Sequence, residues 1–208
     1  MSAMVNHLAA LDHAASTFSE LLRAVDPGEP VPSCPGWCVS DLAVHLGIVH
    51  RWATEVVAGG QAAERGPGPD VDEDLVVWFD QGVAGLLDVL AATDPDRPTW
   101  GFGPPPRLAA FWRRRQAHET AMHLVDLRLA SGLAPHYPGA LALDGIHEVV
   151  EVFFPRQVSL GRIAPLTRSL RLVPDDDPRA AVLLAGDGTS AHALSTTPPD
   201  AAVAGPAE

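Results

Sequence analysis

The sequence predicts a mainly α protein, an N-terminal four-helix bundle over residues 1–135 followed by a small α/β C-terminal domain over 136–208. Three observations carry this expectation. Apolar residues recur at steps of three and four through the first 135 positions, the mark of helices that each bury one stripe. Clusters of Gly and Pro separate these stretches. Near residue 168 the helical period gives way to short β-like runs, RSLRLVP, AAVLLAG and SAHALST, divided by the turn-forming PDDDP and GDGT.

In the first helix Leu8, Leu11, Ala15, Phe18, Leu22 and Val25 make the stripe, and DPGEPVPSCPG (26–36) ends it. A second helix is expected from Ser40 to Ala58, stopped by Gly59 and Gly60. Asp70–Asp74 place acids in the first turn of a third helix, where the positive end of the dipole favours them, and that helix runs to about Ala92. PDRPTWGFGPPP (95–106) is a rigid connector, and a fourth helix from Arg107 to Ser131 ends at Gly132. Four helices with one apolar stripe each suggest a bundle. Residues 144–160 read as one more helix, ended or kinked by Pro155. The closing PDAAVAGPAE closes nothing in this reading, so the last element is expected either to be missing, leaving the second domain cut short, or to dock elsewhere.

Composition excludes several classes. At 47% hydrophobic and 19% charged residues, the chain can bury a core and is no acidic disordered tail. The net charge of -12 argues against a nucleic-acid groove or an anionic membrane surface, which need a basic stripe. No long apolar run lacks charges, Pro or Gly, and the N-terminus has no signal-peptide layout. Two cysteines, Cys34 and Cys38, do not staple a chain of this size; a reduced cytoplasm is the simplest setting. They are expected to be small buried hydrophobes, and Trp37 a plug beneath the second helix.

Ionisable groups on an apolar stripe are informative, because burying them unpaired is costly. On the fourth helix Leu108, Phe111, Trp112, Met122, Val125 and Leu129 share one arc. Arg115, Glu119 and Asp126 fall near its centre, with His118 and His123 inside its edges. On the second helix Leu42, Ile48, Val49, Trp52 and Val56 define the arc; His45 lies inside it, His50 and Arg51 outside. Glu119 and His123 are four apart and share a face, so with a facing His45 they form a tripod. A His₂Glu set is a familiar catalytic zinc site that leaves a position open for water or substrate. The competing reading pairs Glu119 with Arg115 and leaves the histidines as satisfied core residues. Asp126 either orients a ligating histidine or pairs with Arg115.

VPSCPGWCVSDLAVHLGIVHRWA (31–53) resembles the P-x-C-P-G-W-[TS]-x-x-D-L-x-x-H-L segment of the mycothiol-dependent maleylpyruvate isomerase family. RRRQAHETAMHLVDLRLASG (113–132) resembles that family's second signature, a Glu and a His four apart followed by an Asp. The resemblance implies a DinB-like metal-binding four-helix bundle and a divalent metal, usually zinc, on His45, Glu119 and His123. It further implies mycothiol as the thiol cosubstrate and an actinobacterial source, which suits a chain whose fourteen basic residues are all Arg. Cys38 stands where the family commonly has Thr or Ser, a change expected to touch only the helix cap.

The expected function is therefore that of a mycothiol-dependent isomerase or thiol S-transferase. A metal-bound thiolate adds to an electrophilic small molecule, giving cis–trans isomerisation of an unsaturated acid or S-conjugation. Arg115, His118 and Asp126 are expected around the metal or the substrate, Arg115 by gripping a carboxylate. The alternatives are a zinc hydrolase using metal-bound water and a non-catalytic metal- or ligand-binding bundle. The partners implied are a small electrophile and a low-molecular-weight thiol, with no nucleic acid and no membrane.

Overall fold

Helix α1, His7–Ala24, starts where the Asn6 side chain accepts the Ala9 N–H, and it buries Leu11, Ala14, Ala15, Phe18 and Leu22. The computed structural model describes residues 5–175, 181–184, 191–193 and 199–205. Helix α2, Val39–Gly59, ends on Gly60 at φ 70°, a left-handed turn that glycine adopts without strain. Helix α3 spans Leu75–Ala92. Asp70–Asp74 lie before it rather than inside its first turn; Asp74 caps it by accepting the Val76 and Val77 N–H groups. Helix α4, Ala110–Ala130, is shorter at its start than expected, because Pro98 and Leu108 pair as an isolated bridge. The Arg113 guanidinium ties α4 to the C-terminal carbonyls of α3, Leu90 and Thr93.

The bundle core joins Phe18, Leu22, Leu42, Leu46, Trp78, Phe79 and Leu127, with Phe18 and Phe79 stacked at 4.8 Å. By length and mean hydropathy (1.6) α3 is apolar enough to cross a membrane. Its Trp78, Phe79, Gly82, Leu86 and Leu90 are nonetheless buried in this core, and Asp80 pairs with Arg23 and Ser19 of α1.

Two expectations about faces are overturned. His50 is fully buried, although the apolar arc of α2 excluded it. The buried arc of α2 is wider than its large residues indicate, because Ala43, Gly47 and Ala53 let α3 and α4 approach closely. His50 sits near the middle of that arc and hydrogen-bonds Thr120 Oγ1 through Nε2 at 2.9 Å. On α4, Met122 is 53% exposed, while Gln116, Ala117, Thr120 and Ala121 are buried, since α1 and α2 cover this helix from two sides.

The chain divides into two compact units, one of Asn6–Gly101 with Pro106–Tyr137, the other of Pro138–Glu208 with further short segments. In the second, helix α5 (Gly139–Glu148) continues through a π turn, Val149–Phe153, into helix α6 (Phe154–Ser159). Pro155 lies in the first turn of α6, where its missing N–H costs least, so the expected break becomes a widened turn instead. Strands β1 (Leu170–Pro174), β2 (Val182–Leu184), β3 (Ala191–Ala193) and β4 (Ala201–Gly205) form one sheet in the order β3-β2-β1-β4. β1 and β2, and β2 and β3, pair antiparallel; β1 and β4 run parallel. Val150, Val182 and Leu184 form the core of this unit.

β4 lies within PDAAVAGPAE, so part of that segment docks on the sheet beside β1. Its alanines have little strand preference, but the edge of β1 supplies a ladder, and Ser169 N–H and O–H both donate to Asp200 at its start. The expected GDG turn (186–188) lies outside the described residues.

Candidate metal centre

The site begins with the loop between α1 and α2. Val31 N–H donates to Trp37 O, Cys34 N–H to Val31 O and Trp37 N–H to Cys34 O, each at 3.0 Å, while Pro30 and Cys38 pair as an isolated bridge. Gly36 has φ 85°, which closes this turn at a position L side chains rarely tolerate. The closed loop sets Ser33 and Cys34 against α4 and Trp37 against α2. Asp41 fixes the start of α2 by accepting the Cys38 N–H at 2.9 Å and the Cys38 thiol at 3.0 Å. Neither cysteine is fully buried, contrary to expectation; both are half-buried free thiols with polar neighbours. Trp37 is likewise half-buried, its ring 5.0 Å from that of His45.

His45 from α2 meets Glu119 and His123 from α4. Their ligand atoms lie within 4.8 Å of one another, with His45 Nε2 3.8 Å and His123 Nε2 3.5 Å from Glu119 Oε1. The two imidazole rings face edge to face at 5.2 Å. Three further contacts hold the trio. Arg115 Nη2 donates to Glu119 Oε2 at 2.7 Å, leaving Oε1 for the histidines. Asp126 Oδ2 sits 2.9 Å from His123 Nδ1, and Ser33 Oγ donates to Asp126 Oδ1 at 2.6 Å. The contact of Nδ1 with Asp126 turns Nε2 of His123 toward Glu119 and the site.

The electrostatics follow from these contacts. Burial opposes charge on Glu119, but His123, His45 and Arg115 outweigh it and hold the carboxyl far below its ordinary range. Burial also opposes the imidazolium of His123, yet Asp126 and Glu119 raise its pKa to about 9. Asp126 is pulled down by His123 and Ser33 against the effect of burial.

The remaining expected residues divide. Arg115 is buried, and its Nη2 donates to Glu119 Oε2. Asp126 joins the cluster through His123 and not through Arg115. His118 points elsewhere on α4: its Nδ1 is 2.9 Å from Tyr137 Oη and the two rings stack. Sequence reasoning missed Ser33, Cys34 and the Trp37–His45 contact. The PSCPG turn was the available signal, since a tight loop before a ligand-bearing helix must place its side chains on one neighbour or another.

A groove of about 510 Å³ opens beside His45, lined by Trp37, Asp41, Val44 and Ile48 among others. The donor chemistry suits a divalent metal, since three N/O donors from two helices could hold one ion, as in sets that keep a position open.

No curated protein matches the chain significantly. The crystal structure of the mycothiol-dependent maleylpyruvate isomerase is similar, with a TM-score of 0.59 at 16% identity over 97% of this chain and 84% of that one. A histidine-to-alanine mutant of mycothiol-dependent maleylpyruvate isomerase gives the same TM-score at 15% identity. At these identities the likeness speaks to the fold. The family model described as the mycothiol maleylpyruvate isomerase N-terminal domain matches residues 8–128, a stretch that includes the whole His45, Glu119 and His123 cluster. A match over more than half of its length makes this chain a member of the mycothiol maleylpyruvate isomerase N-terminal domain family.

Proposed function

We propose that the chain is a mycothiol-dependent metalloenzyme, in which His45, Glu119 and His123 hold a divalent metal, zinc by the chemistry of the donors. The observation that carries this reading is the convergence of those three ligand atoms within 4.8 Å, braced by Asp126 and Arg115. Glu119 Oε1 lies 3.5 Å from His123 Nε2 and 3.8 Å from His45 Nε2, close enough for one ion to be shared among the three donors. When bound, the metal supplies Lewis acidity that keeps a cosubstrate thiol in its nucleophilic thiolate form near neutral pH.

The chain's own residues set up the rest. Asp126 fixes the tautomer of His123, and Arg115 keeps Glu119 ionised and turned so that Oε1 faces the histidines. Trp37 packs 5.0 Å from the His45 ring, and the two line one groove open for the cosubstrate. The thiolate adds to a cis-unsaturated acid: a C–S bond forms and the π electrons move onto the conjugated carbonyl. Rotation about the resulting single bond and cleavage of C–S return the thiolate and release the trans isomer, with no net proton change. Protonation of the adduct at carbon instead gives the S-conjugate. The names of the structural neighbours favour isomerisation of maleylpyruvate. Two free thiols in one loop, Cys34 and Cys38, accord with a reduced, cytoplasmic setting.

The test measures metal by mass spectrometry in the wild type and in His45→Ala, and turnover of maleylpyruvate with and without mycothiol. About one metal per chain, lost in the variant while its helical circular dichroism persists, and strictly thiol-dependent turnover are expected. Turnover indifferent to thiol would move the assignment to hydrolysis by metal-bound water. A wild type that takes up no metal would reject the catalytic centre.

A further inference from the structure

We propose that the groove along the outer face of α2 binds the body of the thiol cosubstrate, and that Asp41 and Trp37 select a neutral, hydroxyl-rich thiol over an anionic one. This rests on the thiol-dependent reading above and deepens it.

Asp41, Val44, His45 and Ile48 are spaced three and four apart, so they form one stripe of α2. That stripe flanks the buried arc of Leu42, Leu46, Val49 and Ala53, with His45 and Ile48 at its edge and Asp41 exposed, so bundle packing does not require its polar end. His45 belongs to the stripe and to the ligand trio at once. A cosubstrate with its sulfur at the trio therefore extends its remaining atoms past His45 into the groove. The volume of about 510 Å³ falls within the range of small-molecule sites.

The walls define the chemistry. Val44 and Ile48 give an apolar floor, and Gly68 lies so close that an added Cβ would be 3.2 Å from Val44 Cγ1, so the α2–α3 linker walls one side. The Trp37 indole offers a flat face of the kind that packs on the C–H face of a sugar ring. Asp41 spends Oδ2 on Cys38, while Oδ1 has no partner among the described residues. The Cys38 thiol and N–H hold this carboxyl below its usual range, so it stays charged. A carboxylate with one oxygen unspent accepts hydroxyl hydrogens and repels carboxylates. No arginine lines the groove among the described residues, so nothing there compensates an anionic ligand.

The test is calorimetry on the metal-loaded full chain with two probes, mycothiol, whose body is a glycosylated polyol, and glutathione, a peptide thiol with two carboxylates. The wild type is expected to prefer mycothiol. Asp41→Asn weakens mycothiol about fivefold and strengthens glutathione by a similar factor, so their ratio collapses more than tenfold. Trp37→Leu weakens mycothiol about tenfold. A role for Asp41 as helix cap alone would lower Tm and shift both thiols in parallel; an unchanged ratio overturns the inference. A shift in the KM for the electrophile, with thiol affinity constant, assigns the groove to the other substrate and also overturns it. Should the wild type bind no thiol at all, the function proposed above falls; should it bind mycothiol with a ratio insensitive to Asp41, this inference falls alone.

Discussion

Asp126 shows how one buried carboxylate can orient a candidate metal-binding histidine. It accepts from His123 and Ser33 together, which fixes the imidazole both in tautomer and in rotation. Replacing Asp126 by Ala should lower zinc affinity between tenfold and a hundredfold in competition with a chromophoric chelator, and Ser33→Ala should lower it less. His50, one turn beyond His45, illustrates the opposite case of a histidine kept neutral. Burial drives its pKa down to about 3, from an ordinary value near 6.5. Between those values the unfolded chain binds the proton and the fold does not. The stabilising contribution is therefore whole above pH 6.5 and is lost as pH falls toward 3. By pH 5 it amounts to about 2 kcal/mol. Urea unfolding at pH 7 and 5 should show this loss, and the double variant His50→Leu/Thr120→Val should remove that part of the slope without stranding the Thr120 hydroxyl.

At the scale of elements, the contact between α2 and α3 depends on absent side chains. A Cβ at Gly47 would lie 2.1 Å from the Trp78 ring, and one at Gly82 would lie 2.3 Å from Arg51 Nη1. The Trp78 ring is also covered by the Arg51 guanidinium at 3.9 Å, so it has little room to move. Gly47→Ala is expected to cost about 1–3 kcal/mol despite its better helix propensity, read as a lower Tm at unchanged helical content. Asp74→Ala removes the acceptor for two N–H groups and should cost about 1 kcal/mol, the usual worth of such a cap. The first substitution tests packing and the second tests a terminus, so their effects should add.

At the scale of the whole molecule, the proposed metal centre predicts a link between metal and fold. His45 comes from α2, Glu119 and His123 from α4, so an ion shared between them would bind only the assembled bundle. At a free-metal concentration one hundred times Kd, this linkage contributes about 2.7 kcal/mol. Chelation should then lower Tm by roughly 5–10 °C in calorimetry for a chain of this size. His45→Ala should start at the lower Tm and ignore the chelator.

The sequence by itself determined the helices of the first 130 residues, the short strands that follow and the three residues of the trio. Each of these is written in local periodicity: Glu119 and His123 are one turn apart, and His45 sits inside its own helix's arc. The tertiary structure decided what depends on neighbours. Periodicity averages over large apolar residues and overlooks Ala43, Gly47 and Ala53, so the arc drawn for α2 was too narrow and left His50 outside it. The Ser33–Asp126 hydrogen bond spans 93 positions, and no local pattern encodes such a contact. The sequence left Arg115 free to pair with Glu119 or not; packing brings its Nη2 within 2.7 Å of Glu119 Oε2. The alanines of β4 make a strand only because β1 offers an unpaired edge. Backbone rhythm is a local property of the chain, whereas the partner of a buried charge is chosen by whichever distant element packs against it.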